Sequence, residues 1–132
     1  MDLPDNGIRA WTPEELHTLH EAWSIMLAAE TTDGPPQAQV EVGVVTIDDG
    51  VYVRAYQGVR SVWYQATQAR GRGTIQVGNV VLPVRFEAQQ SADDADLALR
   101  IDAAYSSKYG SLASGIMTRA VREATVRIHA RH

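Results

Sequence analysis

The chain has 132 residues, a formal net charge of −4 at pH 7 and no cysteine. Its length suits one domain, residues 1–132, and its 45% hydrophobic and 21% charged residues are typical of a globular protein. The lack of cysteine excludes disulfides, thiolate metal sites and cysteine nucleophiles. No apolar run approaches the roughly 18 residues of a membrane span, and residues 1–10 do not resemble a signal peptide, so we expect a cytoplasmic protein without membrane contact.

The first predicted element is an amphipathic helix over residues 13–28. Thr12 suits its N-cap, Pro13 its first position and Glu15 the reciprocal position of a capping box. The apolar side chains at helical spacing are Leu16, Leu19, Trp23, Met26 and Leu27. The TTDGPP segment that follows cannot continue a helix.

Two hairpins and a short helix are predicted next. A strand over residues 39–47 turns at Asp48-Asp49-Gly50 into a strand over 51–56. Alternation places Tyr52, Arg54 and Tyr56 on one face, opposite Val51, Val53 and Ala55. A helix over 61–69 ends at RGRG, and Gly78-Asn79 then joins strands 74–77 and 80–89, where Pro83 predicts an edge or a bulge.

The last third of the chain predicts helices and one strand. Asp93, Asp94 and Asp96 suit the start of a helix that ends at Gly110 and buries Leu97, Ile101, Ala104 and Tyr105. Helical turns over 116–122 lead to a strand over 125–129. Because the strands come in hairpin pairs, an α+β fold with an antiparallel sheet or small barrel and flanking helices is favoured over a parallel sheet.

A local excess of positive charge marks the middle of the chain. Residues 51–86 contain no Asp or Glu but five arginines, which are Arg54, Arg60, Arg70, Arg72 and Arg85. Arg54 ends a strand, and Arg60-Ser61 opens the helix that carries Trp63 and Tyr64. Free N–H groups at a helix start and the guanidinium fork both favour an anion. The segment YVRAYQGVRSVWY therefore predicts an anion site beside aromatic side chains.

Each of these residues also has a purely structural interpretation. Trp63 alone is slightly better explained by packing, and Arg70 and Arg72 by the dipole of a helix end. Arg85 suits a cross-strand pair with an acid such as Glu41. For Arg54, an ion pair with the acidic segment 93–102 competes almost equally with ligand binding.

Other motifs are weak. His17 and His20 lack a third ligand, so no metal site is predicted, and the glycines at 71 and 73 follow a helix instead of opening one. The serines show no triad arrangement. Tyr105, Lys108 and Tyr109 share one helical stripe, where Lys108 offers a cation and the two phenols are weak candidates for catalytic proton donors.

The runs Val53–Gly58 and Trp63–Ala66, with the strand pair over 74–89, resemble deazaflavin-dependent nitroreductases. Those are split β-barrel proteins related to the pyridoxamine-phosphate oxidase-like FMN proteins. Ile101–Tyr105 and Lys108-Tyr109 resemble a helix in a function-unknown branch of that superfamily, so the likeness covers most of the barrel region 38–129.

The resemblance implies an antiparallel split barrel that forms a homodimer, with FMN or a deazaflavin in a groove near the subunit interface. Its activity would be that of an oxidoreductase on a small organic molecule. The cofactor-binding residues carried over by position, with Lys108 as a weaker addition, are Arg54, Gly58, Arg60, Ser61, Trp63, Tyr64 and Lys108.

Two departures from the family pattern keep an alternative open. Thr31, Thr32 and Gly34 match the segment before the first strand, but Asp33 and two prolines stand where a basic residue is expected. Ala66-Thr67 replaces an Asn-Leu pair. The chain either keeps the cofactor or uses the same groove, with Arg54 and Arg60, for an acidic small molecule. Nucleic-acid binding is the least favoured hypothesis at a pI near 5.5.

Overall fold

A computed structural model describes residues 7–31, 34, 39–89, 94–116 and 118–132. The helices are α1 (Pro13–Glu21), α2 (Val62–Arg70), α3 (Ala95–Tyr109) and α4 (Arg119–Arg122), with 3-10 turns at Gly58–Arg60 and Gly110–Ile116. The strands are β1 (Ile8–Arg9), β2 (Ile25–Ala29), β3 (Val40–Val42), β4 (Val44–Ile47), β5 (Gly50–Arg54), β6 (Arg72–Val77), β7 (Val80–Gln89) and β8 (Thr125–Arg131).

The strands form one antiparallel sheet in the order β3-β2-β6-β7-β8-β5-β4, with β1 added to β8. The outermost strands, β3 and β4, are separated in sequence by Gly43 alone. The chain itself therefore joins the two edges, and the sheet is a nearly closed barrel with helices on its flank. The predicted α+β antiparallel barrel is confirmed.

Gly43 divides the strand that was predicted to run unbroken over residues 39–47. Its first half, β3, pairs with β2, and its second half, β4, pairs with β5 on the other side of the barrel. A side chain at position 43 would meet the phenol of Tyr109, whose oxygen would lie 2.9 Å from the new Cβ. A glycine therefore suits the point where α3 approaches the junction of the two edges.

The prediction of a helix over residues 13–28 is wrong beyond Glu21. Residues 25–29 form β2, which is hydrogen-bonded to β3 on one side and to β6 on the other. Gly73 on β6 permits this close pairing, since a Cβ there would lie 2.1 Å from the carbonyl oxygen of Ala28. Tertiary pairing thus outweighs the helical spacing of the apolar residues, and Trp23, predicted on the buried face, is 58% exposed.

The other elements largely follow the sequence. The hairpin turns lie at Asp48-Asp49 and Gly78-Asn79, α2 begins after the N-cap Ser61 and ends at a left-handed Gly71 with φ 72°, and α3 runs from the N-cap Asp94 to Gly110. Thr32, Asp33, the two prolines after Gly34, and Asp93 lie outside the described residues.

Pro83 was predicted to mark an edge strand or a bulge, and the edge alternative is wrong for the strand as a whole. β7 lies between β6 and β8. The pairing of β7 with β8 begins at Val84, one residue after Pro83. The missing N–H of proline therefore falls just outside the ladder that it would have interrupted.

Two apolar clusters hold the fold together. The barrel interior contains Val51, Val53 and Ala55, which alternation had placed on the face opposite Arg54. A second cluster lies between the outer face of β4 and β5 and the helix α3, and consists of Val45, Tyr52, Ile101, Tyr105 and Ala113. Because side chains alternate along β5, Arg54 also lies on the outer face, beneath α3.

The start of α1 generates a prediction about acid stability. The Thr12–Glu15 capping box is complete, and Glu15 also accepts two hydrogen bonds of 2.8 Å from Arg9. The Arg9 hydrogen bonds are the main cause that lowers the pKa of Glu15 from 4.5 to about 2. The stabilisation from this lowered pKa is present above pH 4.5 and is lost as the pH falls towards 2.

We therefore expect Glu15→Gln to reduce the free energy of unfolding at neutral pH, with a difference from wild type that narrows between pH 4.5 and 2. Urea denaturation across that pH range measures it. Glu14→Gln, at an exposed position on the same turn, is the control and should show no such narrowing. A Glu15→Gln deficit that stays constant down to pH 2 would contradict the assignment.

Candidate functional site

Arg54 is a fully buried site residue whose side chain already has several hydrogen-bond acceptors. Its side chain is 0% exposed, and its guanidinium lies 2.5 Å from a carboxylate oxygen of Asp102 on α3. It also donates to the hydroxyl of Thr125 at 3.0 Å and to the carbonyl of Ala98 at 3.2 Å. The ion pair with the acidic segment, predicted as the alternative to ligand binding, is confirmed. A role of Arg54 in direct ligand contact stays a prediction, and would require exchange of these acceptors.

Asp102 is shared by two arginines. Its second oxygen accepts a hydrogen bond of 2.5 Å from Arg122, at the end of α4. One carboxylate thus faces two guanidinium groups, and the cluster keeps a formal charge of +1. Arg122 is 35% exposed, so the unbalanced charge reaches the surface on its side.

Two tyrosines of α3 hold the junction between β3 and β4. The Tyr105 hydroxyl accepts from the backbone N–H of Arg54 and donates to the carbonyl of Gly43, both at 3.1 Å. The Tyr109 hydroxyl accepts from the N–H of Val44 at 3.1 Å and donates to the carbonyl of Trp23 at 2.5 Å. Burial raises the pKa of both phenols, so they stay protonated at neutral pH. Their assignment as proton donors stays a prediction.

Lys108 lies on the same helix but lines a separate cleft of about 220 Å³ with His20 and Thr46. Its ammonium group donates to the carbonyl of Val44 at 2.6 Å. Burial is the main cause that lowers the pKa of Lys108, and the charge of Glu21 partly opposes it. The structure therefore does not bring Lys108 to the cleft that Arg54 lines, and its cofactor role stays a prediction.

A cleft of about 200 Å³ opens beside the two tyrosines of α3. It is lined by Gly43, Arg54, Tyr56, Tyr105, Tyr109, Leu112 and Ala113. We call it the tyrosine cleft. Tyr56 and Leu112 on its rim are 67% and 70% exposed. The rings of Tyr105 and Tyr109 stack at 5.7 Å, and Trp23 meets Tyr109 edge-on at 4.6 Å. Tyr56 and Leu112 were not among the predicted site residues, although alternation had placed Tyr56 on the face of Arg54.

The rest of the predicted anion site lies at residues 58–61, just after Tyr56. Gly58 is buried with φ 78°, and Arg60 is exposed and forms no ion pair among the described residues. Ser61 is buried as the N-cap of α2, and its hydroxyl accepts the N–H of Tyr64 at 3.4 Å. Of these groups, Arg60 is the one whose charge is open to a ligand.

The aromatic residues of α2 belong to the core. Tyr64 is buried in the barrel interior, and the half-buried Trp63 packs against the same cluster. Packing, the structural interpretation of Trp63, is what the structure shows. For both side chains a contact with a cofactor stays a prediction.

Of the other arginines in residues 51–86, Arg70 and Arg72 form ion pairs within the described part of the chain, and Arg85 does not. Arg70 and Arg72 both approach Glu30, at 4.0 and 2.9 Å. The expected pair of Arg85 with Glu41 is wrong, because Glu41 lies on β3 and accepts from Ser24, whereas Arg85 lies opposite Arg72 and His129 in the sheet. The described residues contain no group of three or more potential metal ligands, and none of their helices is long and apolar enough to cross a membrane.

Comparison of the sequence with family models identifies the family of the chain. The family model described as "Uncharacterized protein conserved in bacteria (DUF2255)" matches residues 15–128. The chain belongs to the DUF2255 family. A search of the curated proteins finds no match.

Solved structures show the fold that this DUF2255 protein shares. HutZ, the heme storage protein from Vibrio cholerae, is 12% identical with a TM-score of 0.64 over 93% of this chain and 90% of its own. A FAD-binding protein from Mesorhizobium loti is 20% identical with a TM-score of 0.56 over 94% and 91%. A protein of unknown function from Agrobacterium tumefaciens is 13% identical with a TM-score of 0.60 over 100% and 57%. Together they show a split-barrel fold.

Loss of the Asp102 carboxylate tests the role of the ion pair in this DUF2255 protein. We expect Asp102→Asn to lower the free energy of unfolding by about 3–5 kcal/mol, because it leaves Arg54 buried without a counter-charge. Urea denaturation measures the loss. Asp48→Asn, which removes the exposed partner of Arg100, is the matched control and should have little effect. Equal stability of the two variants would show that the buried pair is not an anchor.

Proposed function

We propose that this protein binds a flavin or deazaflavin cofactor at the tyrosine cleft and acts as an oxidoreductase on a small organic molecule. The observation that carries the proposal is the cleft itself, where Tyr56, Tyr105 and Tyr109 stand around an opening with the apolar Leu112 on its rim. Ligand sites of this kind are mostly apolar and aromatic with a few polar groups, and a flat conjugated ring packs well against phenol rings.

The ligands of two structural neighbours support a planar ligand for this protein. One is a FAD-binding protein and the other stores heme. Flavin and heme are both flat conjugated ring systems. The resemblance of the segment 53–66 to deazaflavin-dependent nitroreductases favours the flavin class.

Arg60 is the residue that we propose for the cofactor phosphate. It is exposed, carries no ion pair among the described residues, and lies four positions after Tyr56 in the same connection between β5 and α2. Arg54 acts indirectly in this proposal. Its backbone N–H donates to the Tyr105 hydroxyl, and its side chain anchors α3 through Asp102. Together these contacts hold one wall of the cleft in place.

The cofactor would supply the hydride chemistry when bound, and the protein would supply binding and orientation. Tyr105 and Tyr109 are held in fixed orientations by their backbone hydrogen bonds. The hydroxyl protons of both already go to carbonyl oxygens, so donation to a substrate would require one of these bonds to open. Tyr109, which is less deeply buried than Tyr105, is the better placed of the two.

A second copy of the chain would complete the site. The tyrosine cleft measures about 200 Å³, less than the roughly 300–1,000 Å³ of typical ligand pockets. Exposed apolar side chains stand on its rim and along the following segment, at Tyr56, Val59, Val62 and Leu112. A partner subunit laid over them would enclose the cleft and bury these side chains. For this reason the proposed form of the protein is a homodimer.

A second candidate function is binding of an acidic small molecule in the same cleft without a redox cofactor. The observation that favours it is the unbalanced charge of the cluster around Asp102, where Arg54 lines the cleft and Arg122 adds a second guanidinium. A carboxylate ligand would gain from that field without any ring to stack on the tyrosines.

Cofactor titration separates the two candidates. We expect the fluorescence of FMN or of a deazaflavin coenzyme to be quenched on binding to the wild type. Arg60→Ala should weaken the affinity by about 1.5–3 kcal/mol, the contribution of a charge-assisted hydrogen bond. Tyr56→Ala should weaken it as well, by loss of ring contact. Arg100→Ala, at an exposed arginine of α3 that pairs with Asp48, is the control and should bind as wild type does. Binding of hemin or of dicarboxylates in place of either flavin would refute the proposal.

The oligomeric state tests the completed site. Light scattering should give the mass of a dimer for the wild type, and Val62→Asp should shift it to a monomer by placing a charge in the proposed contact. Leu99→Asp provides a matched control, since Leu99 is a similarly exposed apolar residue on α3 outside that surface. A monomeric wild type, or a dimer that Val62→Asp leaves intact, would contradict this part of the proposal.

A further inference from the structure

A row of basic side chains crosses the outer face of the barrel. Arg72 on β6 is directly opposite Arg85 on β7, and Arg85 is directly opposite His129 on β8. All three alternate with buried neighbours, which places them together on the outer surface. Like charges directly opposite one another destabilise a sheet unless something between them carries negative charge. An anion bound between Arg72 and Arg85 would therefore stabilise the sheet.

Two carboxylates lie in this region, and both already have basic partners. Glu30 lies 2.9 Å from Arg72, 3.2 Å from Arg131 and 4.0 Å from Arg70. With Arg85 and the second carboxylate, Glu87, included, four arginines and two carboxylates give a formal charge of +2. This concentration stands out in a chain whose net charge is −4, and it supplies a local field that attracts anions.

Arg85 faces a cleft of about 480 Å³, which we call the arginine cleft. Its lining residues are Ile8, Gln68, Arg85, Phe86, Glu87, Ala88 and His129. The carboxylate among them, Glu87, is bound to His129 at 2.8 Å. Arg85 itself is half-buried and forms no ion pair with any described residue. The side chain of Arg85 is thus partly buried beside open space and has no ion-pair partner within the part of the chain that the structure describes.

We propose that the arginine cleft is a binding site for a small molecule that carries phosphate groups, with Arg85 as the principal ligand-binding residue. The planar guanidinium donates two parallel hydrogen bonds to a phosphate, and the surplus positive charge of the region favours a multiply charged anion over a monocarboxylate. Arg72, directly across the strand pair, is the second contact. The arginine cleft shares no lining residue with the tyrosine cleft, so the two proposals stand or fall separately.

Calorimetric titration with inorganic pyrophosphate at constant ionic strength tests this site. The wild type should bind with a one-to-one stoichiometry, and added salt should weaken the binding because the cleft is open to solvent. Arg85→Gln should weaken it roughly 10-fold or more, as expected for a charge-assisted hydrogen bond. Arg100→Gln, which removes an exposed arginine on α3, is the control and should leave the affinity unchanged. Absence of saturable binding, or equal effects of the two substitutions, would overturn the proposal.

A second variant should change the affinity for pyrophosphate in the opposite direction. Glu30→Gln removes the carboxylate that competes for Arg70, Arg72 and Arg131, and should tighten pyrophosphate binding. An affinity no tighter than that of the wild type would count against the site. ADP, titrated in parallel, identifies the source of the phosphate. Tighter binding than pyrophosphate assigns the site to an organic phosphate, and equal binding assigns it to the inorganic anion.

Discussion

The buried ion pair between Arg54 and Asp102 is the constraint on which the outer face of the barrel depends. An arginine with a side chain exposure of 0% is stable only with a counter-charge and with acceptors for its other donors. Asp102, Thr125 and Ala98 supply them from α3 and β8, and Arg122 of α4 reaches the same carboxylate. The pair therefore determines where α3 lies, and the position of α3 in turn determines the tyrosine cleft.

The tyrosine cleft is a consequence of how the sheet closes. Its two edges meet at Gly43, where Tyr105 donates to the carbonyl of Gly43 and Tyr109 accepts from the N–H of Val44. These contacts leave the rings side by side, with Tyr56 and Leu112 open to solvent. The same side chains thus hold the closure of the barrel and line the tyrosine cleft. The arginine cleft arises from a different cause, the alignment of Arg72, Arg85 and His129 across three strands.

Features that depend on local chemistry were predictable from the sequence, and those that depend on tertiary pairing were not. The turns at Asp48-Asp49 and Gly78-Asn79 and the cap at Ser61 follow from residue preferences within a few positions. The residues of β2 were predicted as part of a helix because their apolar spacing suits a helix equally well. Their pairing with β6 and β3 makes them a strand. The sequence predicted the segment that pairs with Arg54, residues 93–102, but not the individual residue Asp102. The rim residue Leu112 was not predicted, because it reaches the cleft through the packing of the 3-10 turn after α3.

The position of β8 has a consequence for synthesis of the protein. β8 is the last strand of the chain, yet it lies between β7 and β5 and also receives β1, while Trp11 donates to the carbonyl of Ile128 at 3.1 Å across 117 residues. Until this strand leaves the ribosome, β5 and β7 each present an unpaired edge, and the N-terminal segment has nowhere to dock. Such non-local pairing folds slowly and exposes aggregation-prone surface. The stage before β8 docks is therefore the one at which the folding chain is most prone to aggregate.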